Sequence, residues 1–300
     1  MPPVATGAIA LSVALDAAVA EPPRRIHPVA WFGRAVGPFD RAWRRPRAVG
    51  ALLALALPLS VAGFAGGATA LGLAVGSVVG ATVAGLVLFV TTSRRLLLDA
   101  ARETADVTET DLGWARSRLR ALAGRDAADL SPAEIRSAAV ESAAENLADG
   151  LVGPLLAFAL LAPVSLSAAA GAAAWMKAVN TLDSMLGYHA RPVGWASARL
   201  DDAAMFVPAR AAAALLALAA RDPGLLTRAR RWAHAPRSPN AGWPMATLAA
   251  ALDARLEKPG AYVLNRGRSL PTAERARRGV GVVDRASLLA VLLSGGLAWL

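Results

Sequence analysis

Between Arg47 and Arg94 the chain runs for 46 residues without a charged side chain, and between Asp149 and Lys177 for another 27. A membrane-crossing helix needs about 20 consecutive apolar residues. Runs of this length have no economical place in a water-soluble domain, so they predict an all-α, polytopic helical membrane protein with cytoplasmic helical insertions. Composition agrees: hydrophobic residues make up 55% and charged residues 18% of the 300, against about 25% charged in soluble chains. There is no cysteine, which removes disulfides, thiolate metal sites and cysteine nucleophiles from consideration.

The net charge of +10 does not point to nucleic acid. Residues 21–47, 94–149 and 221–285 hold 28 of the 32 basic side chains. These stretches flank the apolar runs, as cytoplasmic loops do under the positive-inside rule. Aromatics are sparse and do not interleave with the arginines, so no base-stacking surface is expected.

We read the chain as a single integral membrane domain over residues 1–300. Apolar segments are expected at about 4–20, 48–65, 68–92, 150–176 and 286–300, with a helical insertion at about 94–149. The long run exceeds one pass, and Gly63, Gly66 and Gly67 near its middle suggest a hairpin there. Pro154 and Pro163 suggest that 150–176 is kinked or re-entrant. Within the insertion, Ser131-Pro132-Ala133-Glu134 predicts a helix start: a serine N-cap, proline in the first turn and a glutamate closing a capping box.

The helix that follows carries Glu141, Glu145 and Asp149 at i, i+4 and i+8, within an arc of roughly 80°. Three carboxylates on one stripe repel unless a cation or donors lie among them, and this stripe runs into an apolar segment. A solvated acidic face, a Mg²⁺ ion or a cationic substrate group would answer that arrangement. Further on, Lys177, Asn180 and Ser184 share a helical face with Asp183 beside it, and Arg199, Asp201, Asp202 and Arg210 follow. There is no phosphate loop, dinucleotide fingerprint, HExxH or GxSxG motif. Acids beside arginines at a membrane suit Mg²⁺-assisted phosphate chemistry. A transporter for an anionic solute or a Mg²⁺-dependent membrane phosphotransferase would use similar residues.

Six blocks carry a more specific signal: HPVAWFGR (27–34), GRD (124–126), ESAAENLADGLVGPLLAF (141–158), KAVNTLDSMLGYH (177–189), ARLDDAAMFVPAR (198–210) and SPNAGWP (238–244). In order and spacing the chain resembles the adenosylcobinamide-phosphate synthase family of cobalamin biosynthesis, the CobD/CbiB family. It departs from the family at Glu21-Pro22, where Gly-Asp-Pro is usual, and at Met205 and His189. The resemblance implies ATP-dependent amide ligation of adenosylcobyric acid with (R)-1-aminopropan-2-ol phosphate or threonine phosphate, with Mg²⁺. It implies a multi-pass protein of the cell (inner or plasma) membrane whose active site faces the cytoplasm. Its partners would be the corrinoid and amino-alcohol phosphate substrates, the lipid bilayer and other membrane enzymes of the pathway, with no nucleic acid.

Carried onto this sequence, the resemblance gives Glu141, Glu145, Lys177, Asp183, Asp201 and Asp202 as catalytic candidates. Glu141, Glu145 and Asp149 are the metal candidates. Substrate contacts would come from His27, Arg34, Asn146, Asn180, Ser184, Tyr188, Arg199, Arg210, Ser238 and Asn240.

Overall fold

The computed structural model describes residues 2–123, 127–187 and 191–300. Tyr188, His189 and the 124–126 block lie outside the described residues. The secondary structure is helical apart from one short ribbon, which bears out the all-α expectation. Four helical stretches are long and apolar enough to cross a membrane: Pro46–Val75, Ser77–Glu109, Pro132–Leu161 and Ala273–Trp299. The pair Pro192–Ala204 and Phe206–Ala219 would make a fifth.

The chain forms two compact units. The first comprises Met1–Ser93, Asp149–Met205 and Val291–Leu300; the second comprises Arg94–Ala148 and Phe206–Ala290. Unit 1 contains α1 (Pro2–Val19), α2 (Pro28–Val36), α3 (Pro46–Val75), α4 (Ser77–Thr91), α8 (Gly153–Leu161), α9 (Leu166–Leu186) and α10 (Trp195–Ala204). Unit 2 contains α5 (Arg95–Asp106), α6 (Leu112–Ala123), α7 (Pro132–Leu147), α11 (Phe206–Ala219), α12 (Gly224–Ala229), α13 (Gly242–Ala251) and strands β1 (Leu256–Lys258) and β2 (Tyr262–Leu264). Helix α14 (Ala273–Trp299) begins in unit 2 and ends in unit 1.

In unit 1, α3 is apolar on both faces. Leu53, Ala54, Pro58, Ala65 and Thr69 are buried, while Leu52, Leu55, Leu59, Phe64 and Leu71 are exposed. A helix apolar all round belongs in lipid or in a large core, and this outer face has no protein cover within its unit. Hydroxyls on these helices are satisfied locally: Thr69 donates to the Ala65 carbonyl at 2.9 Å and Thr92 to that of Leu88 at 2.7 Å. Such bonds remove the cost of placing a polar group in hydrocarbon.

The hairpin break expected at Gly63–Gly67 is absent; α3 runs unbroken to Val75 and the chain turns at Gly76. Gly66 serves packing instead. A Cβ there would stand 3.0 Å from the Ser167 carbonyl, and one at Gly171 would stand 3.0 Å from the Ala62 carbonyl. These two glycines let the α3 and α9 backbones touch, as small residues do where helices meet in lipid. At the true turn, Gly72 and Gly80 face each other, with a Cβ on Gly72 3.2 Å from the Gly80 Cα. The 150–176 segment is broken at 162–165, where α8 ends and Ser165 caps α9 by accepting from Ala168 N at 3.3 Å. Helix α9 then runs on past 176 to Leu186.

In unit 2 the capping box forms as expected: Ser131 Oγ accepts from Glu134 N at 3.3 Å, and Glu134 accepts from Ser131 N at 2.8 Å. A core of Ala115, Leu119, Ile135 and Ala138 joins α6 to α7. The last helix starts at Ala273, not at 286, because its charged first half has partners. Asp284 accepts from both Arg94 and Arg102, and Arg277 donates to Asp106 at 2.6 Å.

Close approach yields the first test. A Cβ on Gly50 would lie 2.0 Å from the Val193 carbonyl, whereas one on Gly63 meets nothing within 4 Å. Gly50→Ala should destabilise the protein by about 1–3 kcal/mol or more, read as a lowered melting temperature in detergent. Gly63→Ala should leave melting unchanged or slightly raised.

Candidate functional site

The HPVAWFGR block folds as a capped amphipathic helix. His27 takes extended backbone angles, and its Nδ1 accepts the Val29 N–H at 3.2 Å, while Pro28 occupies the first turn, where no donor is needed. Val36 turns inward and Trp31 and Arg34 outward. An accepting Nδ1 leaves the proton on Nε2, which lies 3.7 Å from Glu21 Oε2. His27 is therefore a structural cap and, at the same time, one end of a polar cluster. Its pKa is held below the ordinary 6.5 by burial and by the nearby Lys177 ammonium, against the opposing pull of Glu21.

Lys177, on α9, is within electrostatic reach of Glu21 and Asp149 as well as His27. It also lines an apolar cavity of about 530 Å³ in unit 1, among Phe32, Phe64, Val87, Val90 and Thr181. Lys177 thus brings an ammonium to an apolar wall, with two carboxylates in electrostatic reach. Asp149, assigned to the metal, thus has a cation for a neighbour. Lower on α9, Ser184 donates to the Asn180 carbonyl at 2.9 Å and is exposed. Asp183 is half-buried above Gly187, where a Cβ would fall 1.8 Å from its Oδ1. The glycine of MLGY makes room for that carboxylate. On α10, Arg199 pairs with Asp202 at 3.5 Å, and Asp201 is half-buried beside it.

Unit 2 holds the remaining candidates. Glu141 is fully buried; its Oε1 accepts from Ser137 Oγ at 2.8 Å and its Oε2 from the Tyr262 hydroxyl at 2.7 Å. Ser137 Oγ in turn accepts from Glu257 N at 2.8 Å. Glu141 thereby ties the β1–β2 ribbon to α7. Each of its oxygens thus accepts one hydroxyl donor. Asn146 also turns back on its own helix, donating to the Ser142 carbonyl at 2.9 Å, while Glu145 is half-buried. Among the described residues, no group of three His, Asp or Glu side chains is placed to hold a metal ion. The acids expected on one stripe thus have different surroundings: Ser137 and Tyr262 hold Glu141, and the Lys177 ammonium neighbours Asp149.

The SPNAGWP block is a turn leading into α13. Ser238 Oγ accepts from Asn240 N at 3.2 Å and Ala241 N at 3.3 Å, and a Cβ on Gly242 would collide with the Ala233 carbonyl at 2.0 Å. The turn delivers the buried Asn240, whose Oδ1 accepts from Arg210 at 3.0 Å. Two residues outside the expected set belong here and in the Glu141 network: Trp243, stacked near Arg210, and Tyr262. Tyr262 had a sequence signal, the Pro259-Gly260 turn just before the β-prone Tyr262-Val263-Leu264 run; Gly260 has φ +73°.

Three tests follow from this geometry. Because the folded pKa of His27 is depressed, its stabilising contribution is present above about 6.5 and is lost as pH falls through the folded value. Melting of the wild type should drop relative to His27→Asn, a non-titrating N-cap, between about pH 7.5 and about pH 5. Equal pH dependence would remove His27 from the cap. Tyr262→Phe should cost about 1–3 kcal/mol by stripping a donor from a buried carboxylate. Chelating divalent ions should leave wild-type melting unchanged. Stabilisation by Mg²⁺ that disappears in Glu141→Gln would restore the ligand role.

Comparison with known proteins agrees with these blocks. The family model described as CobD/Cbib protein matches residues 9–290. The probable cobalamin biosynthesis protein CobD of Methanothrix thermoacetophila is 36% identical over 300 residues, covering 95% of this chain and 94% of the relative. Cobalamin biosynthesis protein CobD of Klebsiella pneumoniae is 38% identical over 264 residues, 83% of this chain and 81% of its own. Cobalamin biosynthesis protein CbiB of Salmonella paratyphi A is 35% identical over 286 residues, 90% and 87% respectively. No solved structure matches. With a family model over nearly its whole length and relatives similar from end to end, this chain belongs to the CobD/CbiB family.

Proposed function

We propose that this protein acts in cobalamin biosynthesis as a membrane-embedded amide ligase, joining adenosylcobyric acid to (R)-1-aminopropan-2-ol phosphate or threonine phosphate at the expense of ATP. The observation that carries the reading is the Lys177 cluster, a cation among Glu21, Asp149 and His27 at the wall of an apolar cavity. The names of the relatives supply the pathway.

A carboxylate and an amine do not condense unaided in water. Transfer of the γ-phosphoryl group of ATP to the corrinoid carboxylate, releasing ADP, gives an acyl phosphate. The amine, having lost a proton to a carboxylate base, attacks the acyl carbon; collapse expels phosphate and leaves the amide. Lys177 is suited to stabilise negative charge on the carboxylate and then on the tetrahedral oxyanion. Asp201 and Asp202, half-buried on α10, are candidates for the base. The arginines of the substrate blocks, Arg199 and Arg210, suit the phosphate groups. Mg²⁺ enters this reading as the counter-ion of ATP, not as a resident ion of the Glu141 row. The catalytic face would be cytoplasmic, on the side where ATP is found.

Purified protein supplied with adenosylcobyric acid, aminopropanol phosphate and Mg-ATP should yield the amide and ADP by mass spectrometry. Lys177→Met preserves the length and helix propensity of the side chain and removes the charge. Its turnover should fall by at least about 10²-fold, roughly 2.7 kcal/mol, with unchanged melting. Near-wild-type turnover would remove Lys177 from the mechanism, and no amide from the wild type would overturn the reaction.

A further inference from the structure

The cluster around Arg210 in unit 2 is built like a ligand site and has no structural explanation as it stands. The guanidinium carbon lies 3.5 Å from the Phe206 ring centroid and 5.3 Å from that of Trp243. Its Nη1 donates to the Phe206 carbonyl at 2.6 Å and to Asn240 Oδ1 at 3.0 Å. Two aromatic rings and two acceptors therefore fix both the position and the plane of the group. Among the described residues no carboxylate pairs with it. In the same unit Arg94 and Arg102 share Asp284, Arg118 takes Glu103, Arg228 takes Asp222 and Arg277 takes Asp106. Arg210, half-buried, is held by neutral groups only.

Beside it, the indole Nε1 of Trp243 is shielded from solvent and has no hydrogen-bond partner among the described residues. Buried polar groups in folded proteins are almost always satisfied. A half-buried guanidinium without an acid and a shielded indole N–H without an acceptor lack the same thing: an oxyanion. Cation–π contact positions Arg210 but leaves its charge uncompensated. With Nη1 occupied, Nη2 and Nε remain, the pair of donors that matches two oxygens of one phosphoryl group.

The geometry points to a phosphoryl-binding site formed by the Arg210 guanidinium and the Trp243 indole N–H, with Asn240 as a positioning residue. Its ligand is a phosphate monoester dianion. This deepens the proposed reaction by naming groups that would take the phosphate of the amino-alcohol substrate. It rests on that reading for the identity of the ligand, not for the presence of the site. Ser238 and Gly242 act one step back, since the turn they shape places Asn240 and Trp243.

Titration calorimetry on the full chain in detergent, at fixed ionic strength, tests it. The probes are aminopropanol phosphate, unphosphorylated aminopropanol, a non-hydrolysable ATP analogue and vesicle-borne phosphatidic acid. Aminopropanol phosphate should bind and aminopropanol should not. Arg210→Lys, which keeps the charge but loses the fork, should weaken binding at least about 10-fold. Trp243→Phe, which keeps a ring under the guanidinium and removes the N–H, should weaken it severalfold. Melting temperatures near wild type certify that both variants fold. Arg210-dependent binding of the nucleotide or of the lipid phosphate alone would keep the oxyanion site and change its ligand. Undiminished phosphate binding in both variants would overturn the inference. Arg210-dependent binding without any amide product would instead sink the ligase reading and leave this site standing.

Discussion

Unit 1 depends on how closely α3 and α9 can approach. In lipid, helices gain nothing from hiding apolar surface, so contact between backbones has to supply the association. Gly66 and Gly171 provide it on one side of the pair. Toward the other end of α9, Gly194 lies against the Leu186 carbonyl and Gly50 against that of Val193, so the loop after α9 is clamped onto α3. Held at both ends, α9 presents Lys177 from a fixed helix, and the cavity wall formed with α2, α3 and α4 inherits that rigidity. Precision in a site comes from rigid elements of this kind more readily than from loops.

Polar side chains in this protein serve the fold first and the chemistry second. His27 caps α2 before it meets Glu21, and Glu141 anchors a ribbon before it can be anything else. A carboxylate buried in an apolar setting persists only when its oxygens are satisfied. Glu141 and Asp149 share a stripe in the sequence but differ in environment. Asp149 has an ammonium for a neighbour, and Glu141 has two hydroxyls.

What could be read from the sequence was what short-range physics controls. The Ser131 capping box needs only four consecutive residues and formed as expected. The apolar runs declare themselves by length, and α1, α3 and α4 follow from them. What failed were residues with two meanings. Glycine breaks helices and also lets them touch, and nothing local told Gly66 from Gly76. The arginines of 273–285 looked like a loop because their partners, Asp106 on α5 above all, lie about 170 residues away. The site was legible as a set of blocks, and His27, Lys177, Arg210 and Asn240 all occupy structured positions. Which blocks share a unit was not legible, nor that Tyr262 and Trp243 complete two of the clusters, because both facts depend on contacts between distant segments.

Net charge illustrates the same point. The sequence shows a surplus of ten positive charges, a number that suggests topology and little else. The fold sorts these cations by partner. Most unit 2 arginines named above face acids, which fixes helices to one another and leaves little for a ligand. Lys177 sits between carboxylates beside an apolar wall, and Arg210 lies between aromatic rings with neutral acceptors. An arginine already in a contact ion pair can bind an anion only by releasing that acid. One held by rings and carbonyls keeps its full charge for an incoming oxyanion and pays no exchange cost. Aromatic and amide neighbours, not an acid, are what join the PAR segment to the NAGW segment.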